Sequence, residues 1–127
     1  MLERYGLVPH FDVTDVHGRA VTYGSVWQRR NLVLVTLPSA ESEAATRYVS
    51  ALTSRQEELA RHDAECVVTR DAVDGLPPPG TLVADRWGEI AHVKAADDVA
   101  ALPPVEELLD WLQYLQNRCP ECEGEAK

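Results

Sequence analysis

Residues 32–37, Leu32-Val33-Leu34-Val35-Thr36-Leu37, form the longest apolar run in the chain, and they leave it few folds to choose from. So short a run, rich in β-branched side chains, fits a strand buried on both faces. A membrane-spanning helix would need about 18 apolar residues in a row. Pro38 ends the run. Ser39 and Ser42 follow, and either can cap a helix whose apolar residues recur at three- and four-residue spacing: Ala44, Ala45, Tyr48, Val49, Leu52 and later Leu59. Glu41 and Glu43 fall in the first turn, where carboxylates complement the positive end of the helix dipole. Cys66-Val67-Val68 is a second buried-type strand, placed after a helix as a parallel crossover requires.

Shorter signals surround this strand–helix–strand unit. Residues 8–15 alternate apolar and polar and read as an edge strand. His17-Gly18-Arg19 makes a turn, with Asp15 as side-chain acceptor for its amides. Residues 20–23 give another short strand, and Gly24-Ser25 cap a brief helix that holds Val26 and Trp27. Residues 70–80 form a loop that ends in Pro77-Pro78-Pro79-Gly80. Residues 81–84 and 89–93 pair as a hairpin around Asp85-Arg86-Trp87-Gly88. After a connector at 95–102, Pro103-Pro104 opens a last helix that buries Val105, Leu108, Leu109, Trp111, Leu112 and Leu115. The order is that of an α/β protein with a central mixed β-sheet flanked by helices on both faces. Residues 1–118 are expected to form one domain and 119–127 a tail.

A chain of 127 residues buries about two thirds of its unfolded surface, so no disulfide framework is needed. The net charge of -9 disfavours nucleic acid and anionic membranes as partners, since phosphates would be repelled over most of the surface. The first residues lack the basic-then-apolar layout of a signal peptide, and a cytoplasmic location is expected. Three cysteines in a reducing compartment suggest redox, metal or packing roles.

Three stretches resemble a known family. Residues 9–19, PHFDVTDVHGR, are similar to an opening "P-x-F-x-L-x-D-x-x-G-K" hairpin. Residues 31–38, NLVLVTLP, resemble a strand that runs into an active-site loop. Residues 79–90, PGTLVADRWGEI, are similar to "P-x-T-x-L-I-D-x-x-G-x-I". Together they resemble the thioredoxin-fold redoxins: alkyl hydroperoxide reductase, thiol-specific antioxidant and other peroxiredoxin-like proteins. The resemblance implies a thioredoxin-like sandwich over about residues 8–116 and an antioxidant or oxidoreductase ancestry. It also implies that Pro79 is a cis-proline facing the former active-site loop of Pro38, Ser39 and Ser42.

That loop departs from the family. Redoxin chemistry needs a thiolate at a helix N-terminus, where amides and the dipole stabilise its charge. Residues 38–45, PSAESEAA, hold no cysteine. A serine there cannot form the sulfenic acid through which a thiol reduces peroxide, and no neighbouring histidine marks Ser39 or Ser42 as a hydrolase nucleophile.

A dithiol, Cys119-Pro120-Glu121-Cys122, stands near the C-terminus instead. As a relocated redox pair it would make the chain a thiol–disulfide oxidoreductase acting on a thiol-containing protein. As a half-site it would supply two metal ligands, and two chains would complete a Cys₄ zinc site in a homodimer. The same residues also fit an inert tail. The preceding helix end and Glu121, Glu123 and Glu125 should raise the thiol pKa, with only Arg118 and Lys127 to oppose them. No cofactor other than that zinc is implied.

The remaining candidates have plainer readings. Cys66 reads as a small core hydrophobe. His10, His17, His62 and His92 lack metal-ligand spacing. Arg70 and Asp71 read as a loop ion pair, and Trp87 as packed on its neighbouring strand.

Overall fold

The computed structural model describes residues 1–117 of the chain, so Cys119, Cys122 and the tail boundary lie outside the described residues. The apolar run becomes strand β3 (Asn31–Thr36), buried along its whole length. To reach it the chain first makes a hairpin, β1 (Asp12–Thr14) and β2 (Ala20–Thr22), and a 3-10 turn at Tyr23–Ser25. Helices α1 (Glu43–Ser54) and α2 (Gln56–Arg61) then cross to β4 (Ala64–Thr69), which lies parallel to β3. Strands β5 (Gly80–Ala84) and β6 (Ile90–Ala95) pair antiparallel, and β5 joins the other side of β3. The main sheet therefore has the order β4-β3-β5-β6. Helix α3 (Val105–Asn117) closes the fold.

This is the mixed sheet with flanking helices that the sequence implies, a thioredoxin-like fold. One detail differs. Core residues of all three α-helices, among them Ala45, Leu52, Leu59, Leu108 and Leu112, gather on one face of the sheet with Val33, Val35 and Val83. On the opposite face Leu32, Leu34 and Leu82 meet no α-helix. They are covered by Val8, Phe11, Val13, Val21, Tyr23, Val26, Val73 and Leu76. The β1–β2 hairpin, the 3-10 turn and a loop thus do the work of a second helical layer.

The long helix is also divided. Its C-terminal turn carries Thr53 and Ser54, whose hydroxyls donate to the carbonyls of Val49 and Ala51. Such bonds compete with the helical ladder, and the chain leaves α1 at Arg55 before re-entering as α2. Tyr48 Oη donates to Pro103 O at 2.6 Å, which fixes α1 against the entry to α3. At the other end of α3, Gln116 Oε1 lies 2.6 Å from His62 Nδ1, just past α2. Among the described residues no helix is long and apolar enough to cross a membrane.

Candidate functional site

The end of β3, the start of α1 and the turn into β5 converge at one edge of the molecule. Leu37 N donates to Thr69 O at 2.9 Å, so β3 and β4 stay in step to the point where Pro38 turns the chain away. Thr36 pairs with Gly80, which sets the buried Pro79 beside the departing Leu37-Pro38 segment. The Pro78–Pro79 peptide bond is cis. Pro79 O accepts from Ala96 N at 2.9 Å, tying the turn to the end of β6.

Ser42 caps α1. Its extended backbone lets Oγ accept from Ala45 N at 3.1 Å, while its carbonyl accepts from Thr46 N and Thr46 Oγ1. Glu43 in the first turn is paired with Arg47. Ala45 is wholly buried. The start of α1 is thus an ordinary serine cap, with one of its first-turn amides taken by the Ser42 hydroxyl. Ser39 is exposed, and no hydrogen bond among the described residues involves its hydroxyl.

Arg70 and Asp71 adjoin this edge but do not form the expected ion pair. Asp71 Oδ2 accepts from Thr14 N at 2.7 Å, and Thr69 Oγ1 donates to Thr14 O at 2.7 Å. The Asp71 carboxylate is drawn to the β1–β2 hairpin instead. Arg70 Nε is enclosed with no acceptor among the described residues. Trp87 likewise departs from its expected packing. The hairpin tip holds it 61% exposed, beside Trp27 at 45%, whose Nε1 donates to Trp87 O at 3.3 Å. The tip turn uses main-chain and Asp85 hydrogen bonds, so nothing requires the indole to fold back.

Cys66, the free cysteine among the described residues, lies on the helical face of β4 and only part of its residue surface is exposed. Burial pushes its thiol up to about 12, with Glu65 adding to the effect. It is a poor nucleophile at neutral pH. A groove of about 450 Å³ runs beside it, lined by Val49, Leu52 and Leu59 on the helices and by the charged Asp15, Arg19, Arg30 and Glu65. Periodicity of the strand identified Cys66 as a core residue; it carried no sign of the groove.

Two further features had no sequence signal. His92 is buried, 3.1 Å from Thr81 Oγ1 and stacked on Trp111. Burial lowers its pKa and keeps it neutral. The Arg4 guanidinium also lies over Tyr5, Trp111 and Tyr114 at 4.8, 5.1 and 5.7 Å. These contacts join the N-terminal segment to α3 and read as structural. Among the described residues no three His, Cys, Asp or Glu side chains gather in a metal-ligating group. The zinc half-site expected at Cys119 and Cys122 lies outside the described residues.

No protein-family model matches the chain, and no curated protein matches it in sequence. Solved structures do match in shape. The reduced 2-Cys peroxiredoxin of Plasmodium vivax superposes with a TM-score of 0.72 at 12% identity, over 89% of this chain and 81% of that one. The yeast mitochondrial 1-Cys peroxiredoxin gives 0.73 at 14%, over 91% and 77%. AhpC of Mycobacterium tuberculosis gives 0.72 at 15%, over 95% and 98%. The fold is peroxiredoxin-like.

Proposed function

We propose that this peroxiredoxin-like chain is a degenerate redoxin that has given up peroxide chemistry at the start of α1 and performs thiol–disulfide exchange through Cys119 and Cys122. The observation that carries the reading is the Ser42–Ala45 cap. The residues that follow β3 carry no thiol, and the Ser42 hydroxyl is engaged as the helix cap, which supports a loss of thiolate chemistry there. Cys66, the other thiol of the chain, is held protonated by its surroundings. Exchange therefore falls to the C-terminal pair. One thiolate attacks a partner's disulfide to form a mixed disulfide. The second displaces it, so the partner leaves reduced and Cys119–Cys122 is oxidised, to be reset by an external dithiol.

The test is dithiothreitol-driven reduction of insulin by the full chain and by Cys119→Ser/Cys122→Ser. Turnover above the reductant blank that disappears in the double variant supports the reading. Equal rates in both proteins overturn it.

A second reading, a non-enzymatic binding or assembly module, is favoured by the exposed Trp27 and Trp87 with Leu7, which bridges to Glu89 beside them. In that case two chains would share a Cys₄ zinc site. Stoichiometric zinc in freshly purified dimer, lost with the dimer in the double serine variant, would support it. A metal-free monomer would overturn it.

A further inference from the structure

Trp27, Trp87 and Leu7 are large apolar side chains exposed together at the tip of the β5–β6 hairpin. Gly88 joins them. Val8 N donates to Gly88 O at 2.9 Å, Leu7 bridges to Glu89, and Trp27 Cδ1 lies 3.8 Å from where a Cβ on Gly88 would stand. The tip is also held under backbone strain. Gln28 and Asp63 are left-handed without being glycine, φ 68° and 54°. Both are bonded to Arg86: Gln28 N donates to its carbonyl at 2.7 Å, and Arg86 Nη2 donates to Asp63 Oδ2 at 2.6 Å. Residues in such conformations persist where their surroundings over-determine them, and they cluster at ligand clamps.

Charge at the tip runs against that of the chain. Acidic side chains outnumber basic ones 21 to 12 overall, but residues 27–30, WQRR, and 86–89, RWGE, hold three arginines against one glutamate. Arg86 serves Asp63, and the buried Asp85 is occupied by the amides of Trp87 and Glu89. Arg29 and Arg30 are exposed in the turn that follows Trp27, where both of their amides donate to Val26 O. Arg30 also lines the groove beside Cys66, but the carboxylates there, Asp15 and Glu65, are paired with Arg19. Neither Arg29 nor Arg30 has an ion pair among the described residues.

We propose that this tip docks an acidic protein segment that carries an apolar side chain. Trp27, Trp87 and Leu7 would cover the apolar group, and Arg29 and Arg30 would meet the flanking carboxylates. Trp and Arg are the residues that most often anchor interfaces, and a tip already fixed by Arg86 loses little freedom on binding. The inference deepens the binding-module reading by naming the partner's chemistry. It needs neither the shared zinc nor the exchange activity.

Fluorescence anisotropy tests it, with the full chain titrated into a fluorescein-labelled Glu-Asp-Leu-Phe-Asp-Glu peptide at low ionic strength. The peptide should bind, more weakly as salt is raised. Trp87→Ser and Arg29→Gln/Arg30→Gln, which replace exposed side chains only, should each lower the affinity about tenfold. Absence of binding, or binding that both variants retain in full, overturns the proposal. Equal binding of a Lys-Lys-Leu-Phe-Lys-Lys peptide overturns it as well, and tighter binding of oligothymidylate would assign the tip to single-stranded nucleic acid instead. A native chain that sediments as a dimer, and as a monomer once Trp87 is replaced, also contradicts it, because a second copy would then cover the tip. Zinc content and insulin reduction are read separately, so their failure does not mimic this one.

Discussion

Ser42 Oγ accepts the amide hydrogen of Ala45 at 3.1 Å, and the Ala45 side chain is completely buried in the core under the helices. The helix therefore starts with an ordinary neutral cap. Replacing Ser42 with Ala should cost about 1 kcal/mol in urea unfolding, the usual worth of such a cap. Insulin reduction by the variant should be unchanged at temperatures where it stays folded. Loss of turnover with stability intact would assign Ser42 a part in the reaction.

Asp15 is buried, and burial alone would raise its pKa. Hydrogen bonds from Arg19 N, the Arg19 side chain and His17 N outweigh that effect and hold the carboxyl below its ordinary value. Its stabilisation is therefore complete above the unfolded pKa, near 4, and is lost as pH falls through the depressed folded value. Asp15→Asn should destabilise the fold by about 1–2 kcal/mol at pH 7, with the gap to the native chain narrowing in acid. A gap that widened below pH ~4 would contradict this.

Gly18 and Gly88 both have left-handed backbone, φ 85° and 88°. They differ in their surroundings. A Cβ on Gly18 would meet nothing within 4 Å, whereas one on Gly88 would lie 2.7 Å from Tyr23 Oη. Gly18→Ala should cost about 1 kcal/mol from the backbone alone. Gly88→Ala should cost about 2 kcal/mol more, through overpacking against a buried ring. Equal losses in thermal or denaturant unfolding would show that Tyr23 yields freely.

With its thiol pushed up to about 12, Cys66 should react with iodoacetamide at pH 7.5 about a thousandfold more slowly than an unhindered cysteine. Peptide mapping after timed alkylation reads this directly. Rapid labelling of Cys66 would return it to the list of working thiols.

Much of the fold was legible because its signals are local. Strand β3 announces itself by being apolar on both faces. The two Asp-x-x-Gly turns use one device: Asp15 Oδ1 receives the amides of His17 and Arg19, and Asp85 Oδ1 those of Trp87 and Glu89. What escaped was non-local. Nothing near Asp71 in sequence foretells its bond to Thr14, fifty-seven residues away. The division of the helix at Arg55 arises from Thr53 and Ser54 hydroxyls within an unbroken amphipathic pattern. The cover of the second sheet face is assembled from short pieces, none of which has a helix's periodicity. At the candidate site the absent thiol was plain in residues 38–45, but the choice of Ser42 over Ser39 as the cap depends on backbone direction.

The decisive comparison is the rate of dithiothreitol-driven insulin reduction by the native chain, by Cys66→Ala and by Cys119→Ser/Cys122→Ser. If the exchange chemistry resides in the C-terminal pair, the native chain and Cys66→Ala turn over alike and the double variant falls to the reductant blank. Turnover that survives in the double variant, or is missing from the native chain, contradicts it.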